Sequence, residues 1–106
     1  RINREELEKQ ERYNSERVSW QSRRKWIENW EEYKTMLYVQ SHSDNVVVKS
    51  ISINRGNCQV LYTIPTLPAR LNYGQQIEVM PYSMPECRVL SVEVTTENGE
   101  HIINAD

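Results

Sequence analysis

A chain of 106 residues with 38% hydrophobic content can bury one modest core and is too short for two ordinary domains. Its formal charge of −2 at pH 7 offers no concentrated basic surface, which argues against a nucleic-acid partner. No apolar run approaches the roughly 20 residues of a membrane-crossing helix, so any membrane attachment is expected only through sequence upstream of Arg1, where the chain opens without an initiator methionine.

Residues 1–40 contain neither proline nor glycine and carry most of the charged side chains. Their ions fall at helical spacing: Arg1, Glu5 and Lys9 on one row, Arg4, Glu8, Arg12 and Glu16 on another. Such i,i+4 pairs stabilise a solvated helix without giving it a core. Further on, Trp26, Trp30, Tyr33 and Leu37, with Ile27, recur at steps of three and four and form an apolar stripe. The pattern predicts one long helix over residues 1–40, with a polar spacer at its start and a docking or partner-binding stripe in its second half. A sustained coiled coil is disfavoured. With Tyr13, Trp20 and Ile27 on one heptad seam, the other reads Lys9, Glu16, Arg23, Trp30 and Leu37, and charge interrupts it. The triplet Arg23, Arg24 and Lys25 is read as a solvated face, offset by Glu28, Glu31 and Glu32.

After "SHSDN" the period changes from helical to alternating. Ile51 and Ile53 alternate with Ser50 and Ser52; Cys58, Val60, Tyr62 and Ile64 are expected on one face; the "NRGN" turn joins these two strands. Ile77 and Val79 oppose Gln76, Glu78 and Met80, and Leu90, Val92 and Val94 oppose Ser91 and Glu93. Asn98 with Gly99 suits a type I′ hairpin that sets Val94 opposite Ile103. Residues 65–68 and 81–85 each carry two prolines and are expected as loops or sheet edges. The predicted fold is α+β: a helical arm over residues 1–40, then a small antiparallel β domain over residues 41–106, with about five strands in a meander or sandwich and a C-terminal hairpin.

The two cysteines, Cys58 and Cys87, each open a strand beside a turn, in a domain without phenylalanine that gains much from a staple. We expect a disulfide, and with it an oxidising compartment, periplasmic or extracellular. A zinc site would have to recruit Cys58, Cys87, His42 and His101, with no short paired spacing to bring two ligands together. Cysteine–histidine catalysis lacks any local signature, and two free buried thiols are the remaining alternative. With three glycines, a phosphate-cradling loop is hard to build, and neither a G-x-S-x-G elbow nor H-E-x-x-H occurs. Glu78 and Glu93 are placed by alternation on the solvent face, which disfavours a glycosidase pair.

These readings point to a non-enzymatic extracytoplasmic interaction or scaffold module, possessing no cofactor or small-molecule substrate and binding a protein partner or a second copy of itself. Its anchored form would be the soluble part of a membrane-anchored envelope protein. The alternative is a small secreted or periplasmic inhibitor or immunity-type protein that binds through its loops, with Leu67, Arg70, Tyr73 and Tyr82 as contacts.

Overall fold

The chain is described by a computed structural model over residues 3–82 and 87–105. One short helix, α1 (Arg4–Ser15), precedes eight strands: β1 (Val18–Ile27), β2 (Glu32–Ser41), β3 (Val46–Ile53), β4 (Val60–Ile64), β5 (Ala69–Leu71), β6 (Gln76–Pro81), β7 (Ser91–Thr96) and β8 (Gly99–Asn104). They form two antiparallel four-stranded sheets, in the orders β1-β2-β6-β4 and β5-β3-β7-β8. The long helix expected over residues 1–40 is therefore wrong. Residues 18–41 are instead a β-hairpin with a ten-pair ladder running from Val18↔Ser41 to Ile27↔Glu32.

The physical reason lies in a turn without glycine. Trp30 and Glu31 donate their N–H groups to the carbonyls of Ile27 and Glu28, and Glu31 supplies the left-handed conformation itself, with φ of 50°. A glutamate is an uncommon choice there, so the sequence carries no break signal. Of the residues that read as a helical stripe, Trp26 and Tyr33 pair across the ladder on the face that carries Leu37, and Trp30 lies in the turn. Leu37 and Val39 of β2 point inward with no exposed surface. Leu37 is thus a core residue, which corrects its expected place on a partner-binding stripe.

The core lies between the sheets. Leu37 and Val39 of β2, with Ile77 and Val79 of β6, face Val92 and Val94 of β7 and the inward side chains of β3. In β3 the register shifts between Val48 and Ser50, and the extra residue lets Val46 and Val48 point inward before the shift and Ile51 and Ile53 after it. A second register shift, between Val60 and Tyr62 in β4, breaks the single face expected there. Cys58 is buried, whereas Tyr62 and Ile64 are exposed. The C-terminal hairpin also differs from expectation. Its turn falls on Glu97 and Asn98, Thr96 pairs with Gly99, and Val94 lies opposite His101 while Ile103 lies opposite Val92. Of the proline-bearing segments, residues 65–68 form a loop before the edge strand β5, and Pro81 closes β6; residues 83–85 lie outside the described residues.

Helix α1 starts at Asn3, whose side chain accepts the N–H of Glu6, and none of its residues is buried. It is nevertheless tied to the sandwich at its C-terminal end, so it is not a free stalk. The Tyr13 ring stacks on His101 with centroids 4.3 Å apart, and its hydroxyl donates to the Glu100 carbonyl at 2.6 Å. Gly99 leaves room for that ring: a Cβ at this position would stand 2.8 Å from Tyr13 Cδ2. Just beyond the helix, the buried Glu16 carboxylate accepts from Thr96 Oγ1 at 2.9 Å and from Asn98 Nδ2 at 2.7 Å, and meets His101 Nε2 at 2.7 Å.

Candidate functional site

Hairpin β1–β2 is longer than the sheet that holds it. Strand β2 pairs with β6 only from Leu37↔Val79 to Gln40↔Gln76, so the half nearer the turn overhangs as a two-stranded ribbon. An isolated ribbon is marginal in water and must be supported by its own cross-strand contacts. Trp26 stands edge-on to Tyr33, with centroids 5.0 Å apart, and the Arg24 guanidinium lies 5.5 Å from the same ring. The Lys34 ammonium sits 5.5 Å from the Trp30 ring and 3.1 Å from a Glu32 oxygen. Despite these contacts the rings remain open to solvent: Trp26 is 47% exposed, Trp30 49% and Tyr33 57%.

On the outer face of the ribbon, Trp30, Lys34, Leu61 and Tyr82 rim a shallow apolar groove with Met80 on its floor. Met36 and Met80 belong to the outer side of the first sheet, by alternation with the inward Leu37 and Val79, yet both are almost fully buried. Long side chains cover this side, and the Arg23 guanidinium rests 4.0 Å from the Tyr38 ring. Beside it, Lys25 and Tyr38 both donate to one oxygen of Glu78, at 2.8 and 3.0 Å. The hydrogen bond and charge of Glu78 raise the Lys25 pKa above its ordinary value; burial, then the Glu78 hydrogen bond, raises that of Tyr38. Both groups hold their protons more tightly when folded. The stability they contribute is present below pH about 10 and is lost as pH rises through the raised values. An ultraviolet titration of the phenols is expected to show a late step from Tyr38, moved downward in a Glu78→Gln variant. An unmoved late step would assign it to another tyrosine.

On the inner face, Trp20, Ser22, Arg24, Tyr33 and Thr35 border a groove of about 930 Å³ whose far wall is residues 87–89. Trp20 closes its inner end by donating Nε1–H to the Ile103 carbonyl at 3.0 Å. The far wall is pinned by the Cys58–Cys87 disulfide, with Cα atoms 6.1 Å apart. It is pinned again by Asn54, which donates to the Arg88 carbonyl and accepts from the Leu90 and Ser91 amides. The bridge, expected from the sequence, places the protein in an oxidising, non-cytoplasmic compartment. Among the described residues, no helix is long and apolar enough to cross a membrane.

The residues singled out from sequence are only partly brought together. Trp26, Trp30 and Tyr33 share the ribbon, and Tyr82 joins Trp30 at the outer groove. Leu67 packs against the core, Arg70 is exposed on the edge strand β5, and Tyr73, 69% exposed, stands beside His42. Leu61, Met80 and Arg88 carried no motif, Arg24 stood only in the basic triplet read as a solvated face, and the topology alone brings these residues to the two grooves. The four side chains weighed as zinc ligands have other partners: the cysteines bond each other, His42 meets Ser19 Oγ at 2.6 Å, and His101 meets Glu16. Glu93 does lie on an outer face, but it is buried rather than solvated. It accepts from the Ser52 and Ser91 hydroxyls and from the Arg55 N–H, and so holds the 3-10 turn Asn54–Gly56. Glu78 belongs to the other sheet, so the two carboxylates do not face a common substrate. No family model, curated protein or solved structure matches the chain.

Proposed function

We propose that the protein is a non-enzymatic interaction module of the periplasm or cell exterior, and that the overhanging β1–β2 ribbon is its docking element. The observation that carries this reading is the set of three half-exposed aromatic rings at one end of the sandwich, interleaved with cations. Exposed tryptophan, tyrosine and arginine are the side chains most enriched at the energetic centres of protein interfaces, because they combine large apolar area with few rotatable bonds or a planar charge. Exposed rings of this kind are a cost to a monomer unless a partner covers them.

The test is photo-crosslinking in the native cells with p-benzoylphenylalanine placed at Trp30, at Tyr73, or at Ile102 on the far strand β8. Discrete protein adducts at Trp30, absent at Ile102, are the expected result. Adducts confined to Tyr73 would transfer the function to the loops, and none at Trp30 would remove the ribbon as a docking element.

A further inference from the structure

The inner groove has a chemistry that the exposed rings do not explain. Arg24 and Arg88 both line it, and among the described residues no carboxylate lines it and neither guanidinium makes an ion pair. This is a local inversion of charge on a chain that is acidic overall. Guanidiniums in a concave setting are strong, directional sites for carboxylates, which they bind through paired N–H groups. The flanking Trp20 and Tyr33 supply apolar walls.

The far wall adds a second feature. Residues 87–89 lie outside every strand, yet their backbone is fixed from behind by the disulfide and by the Asn54 side chain. Among the described residues, the Val89 N–H and C=O take part in no hydrogen bond. A held backbone with unused donors and acceptors can pair with an incoming extended chain.

We propose that the inner groove binds an acidic, extended peptide segment of a protein partner. Carboxylates at alternate positions pair with Arg24 and Arg88, and the peptide backbone hydrogen-bonds along residues 87–89. The proposal rests on the interaction-module reading and names the chemistry of its partner. An acidic glycan would satisfy the guanidiniums but would leave the wall's amide without its peptide counterpart, so the peptide is favoured.

The test uses the full disulfide-bonded chain and a labelled synthetic peptide alternating glutamate with valine, followed by fluorescence anisotropy. The same peptide with glutamine in place of glutamate is expected to bind at least about tenfold more weakly, the scale of one lost charge-assisted pair. Affinity for the glutamate peptide is expected to fall as salt rises. The double variant Arg24→Gln/Arg88→Gln should lose the preference with an unchanged melting temperature. Arg24→Glu/Arg88→Glu should transfer it to a lysine–valine peptide, which is a gain that misfolding cannot produce. Equal binding of the glutamate and glutamine peptides, retention of the preference in the double variant, or no binding at all would each overturn the proposal. Arginine-dependent binding of polygalacturonate oligomers in place of the peptide would overturn it in favour of a glycan. Crosslinking at Trp30 decides the module reading separately, so a failed peptide with persistent adducts sinks only the groove.

Discussion

Replacing Cys58 and Cys87 together by serine is expected to lower the unfolding free energy by about 3–4 kcal/mol, a large share of a small domain's stability. The bridge closes a segment with a sequence separation of 29 residues, and removing it returns that loop's freedom to the unfolded chain. Few other ties hold its ends. Cys58 makes one isolated bridge to Ile53 ahead of β4, and Cys87 precedes a stretch fixed by the Asn54 side chain rather than by a strand ladder. Cys58 is also almost fully buried, so a serine hydroxyl there adds a desolvation cost. Urea unfolding of the oxidised protein and the double variant reads the difference, and an m-value that rises in the variant would report a more expanded unfolded chain. The same substitution loosens the groove's far wall, so acidic-peptide binding should weaken with it. A stability loss under about 1 kcal/mol would mean that other contacts already fix both ends of the loop.

The sequence showed the strands whose alternation is uninterrupted by function or geometry. Ile77 and Val79 of β6 and Val92 and Val94 of β7 face the core as their period demands. The disulfide was also legible, because two cysteines in a chain short of large apolar residues favour a staple, although β4 begins only at Val60 and β7 at Ser91. The β1–β2 hairpin was not, for two physical reasons. Its turn takes its left-handed residue from Glu31, and a positive φ on glutamate leaves no mark in the sequence. Its inward face also carries Ser22 and Arg24, because that half overhangs the core and has nothing apolar to pack on. Alternation fades where a strand leaves the sandwich, and only the three-to-four spacing of Trp26, Trp30 and Tyr33 remains to be read as a helix. The shift at Val48 and Ser50 hides β3 in part, since inward residues change parity midway. For the same reason the groove was invisible as a site. Arg24 and Arg88 are far apart in sequence, and only the return of the chain after β6 brings them to one cavity.

Glu16→Ala is expected to cost about 3 kcal/mol, far more than its position at the end of an exposed helix implies. Glu16 is 7% exposed, and its carboxylate has three partners, Thr96, Asn98 and His101, all from the β7–β8 hairpin. Alanine removes the acceptor and leaves the His101 nitrogen and the Asn98 amide with an empty space where hydrogen bonds were, and a buried polar group without a partner costs about 1–3 kcal/mol. Glutamine keeps the shape and one acceptor oxygen but sets an amide against neighbouring donors, so an intermediate loss is expected. Tyr13→Phe should cost only about 1 kcal/mol, since the stacked ring remains over His101 and only the hydrogen bond to the Glu100 carbonyl is lost. Lys9→Ala, on a helix with no buried residue, should lie within about 0.5 kcal/mol of the parent. Thermal unfolding gives these differences, and amide hydrogen exchange locates them: in Glu16→Ala, protection should fall first in α1 and at the turn between β7 and β8. If Glu16→Ala and Lys9→Ala prove equally mild and the helix exchanges as before, the buried carboxylate does not hold the helix to the sandwich, and α1 is attached by Tyr13 and by the Arg12–Asn98 hydrogen bond instead.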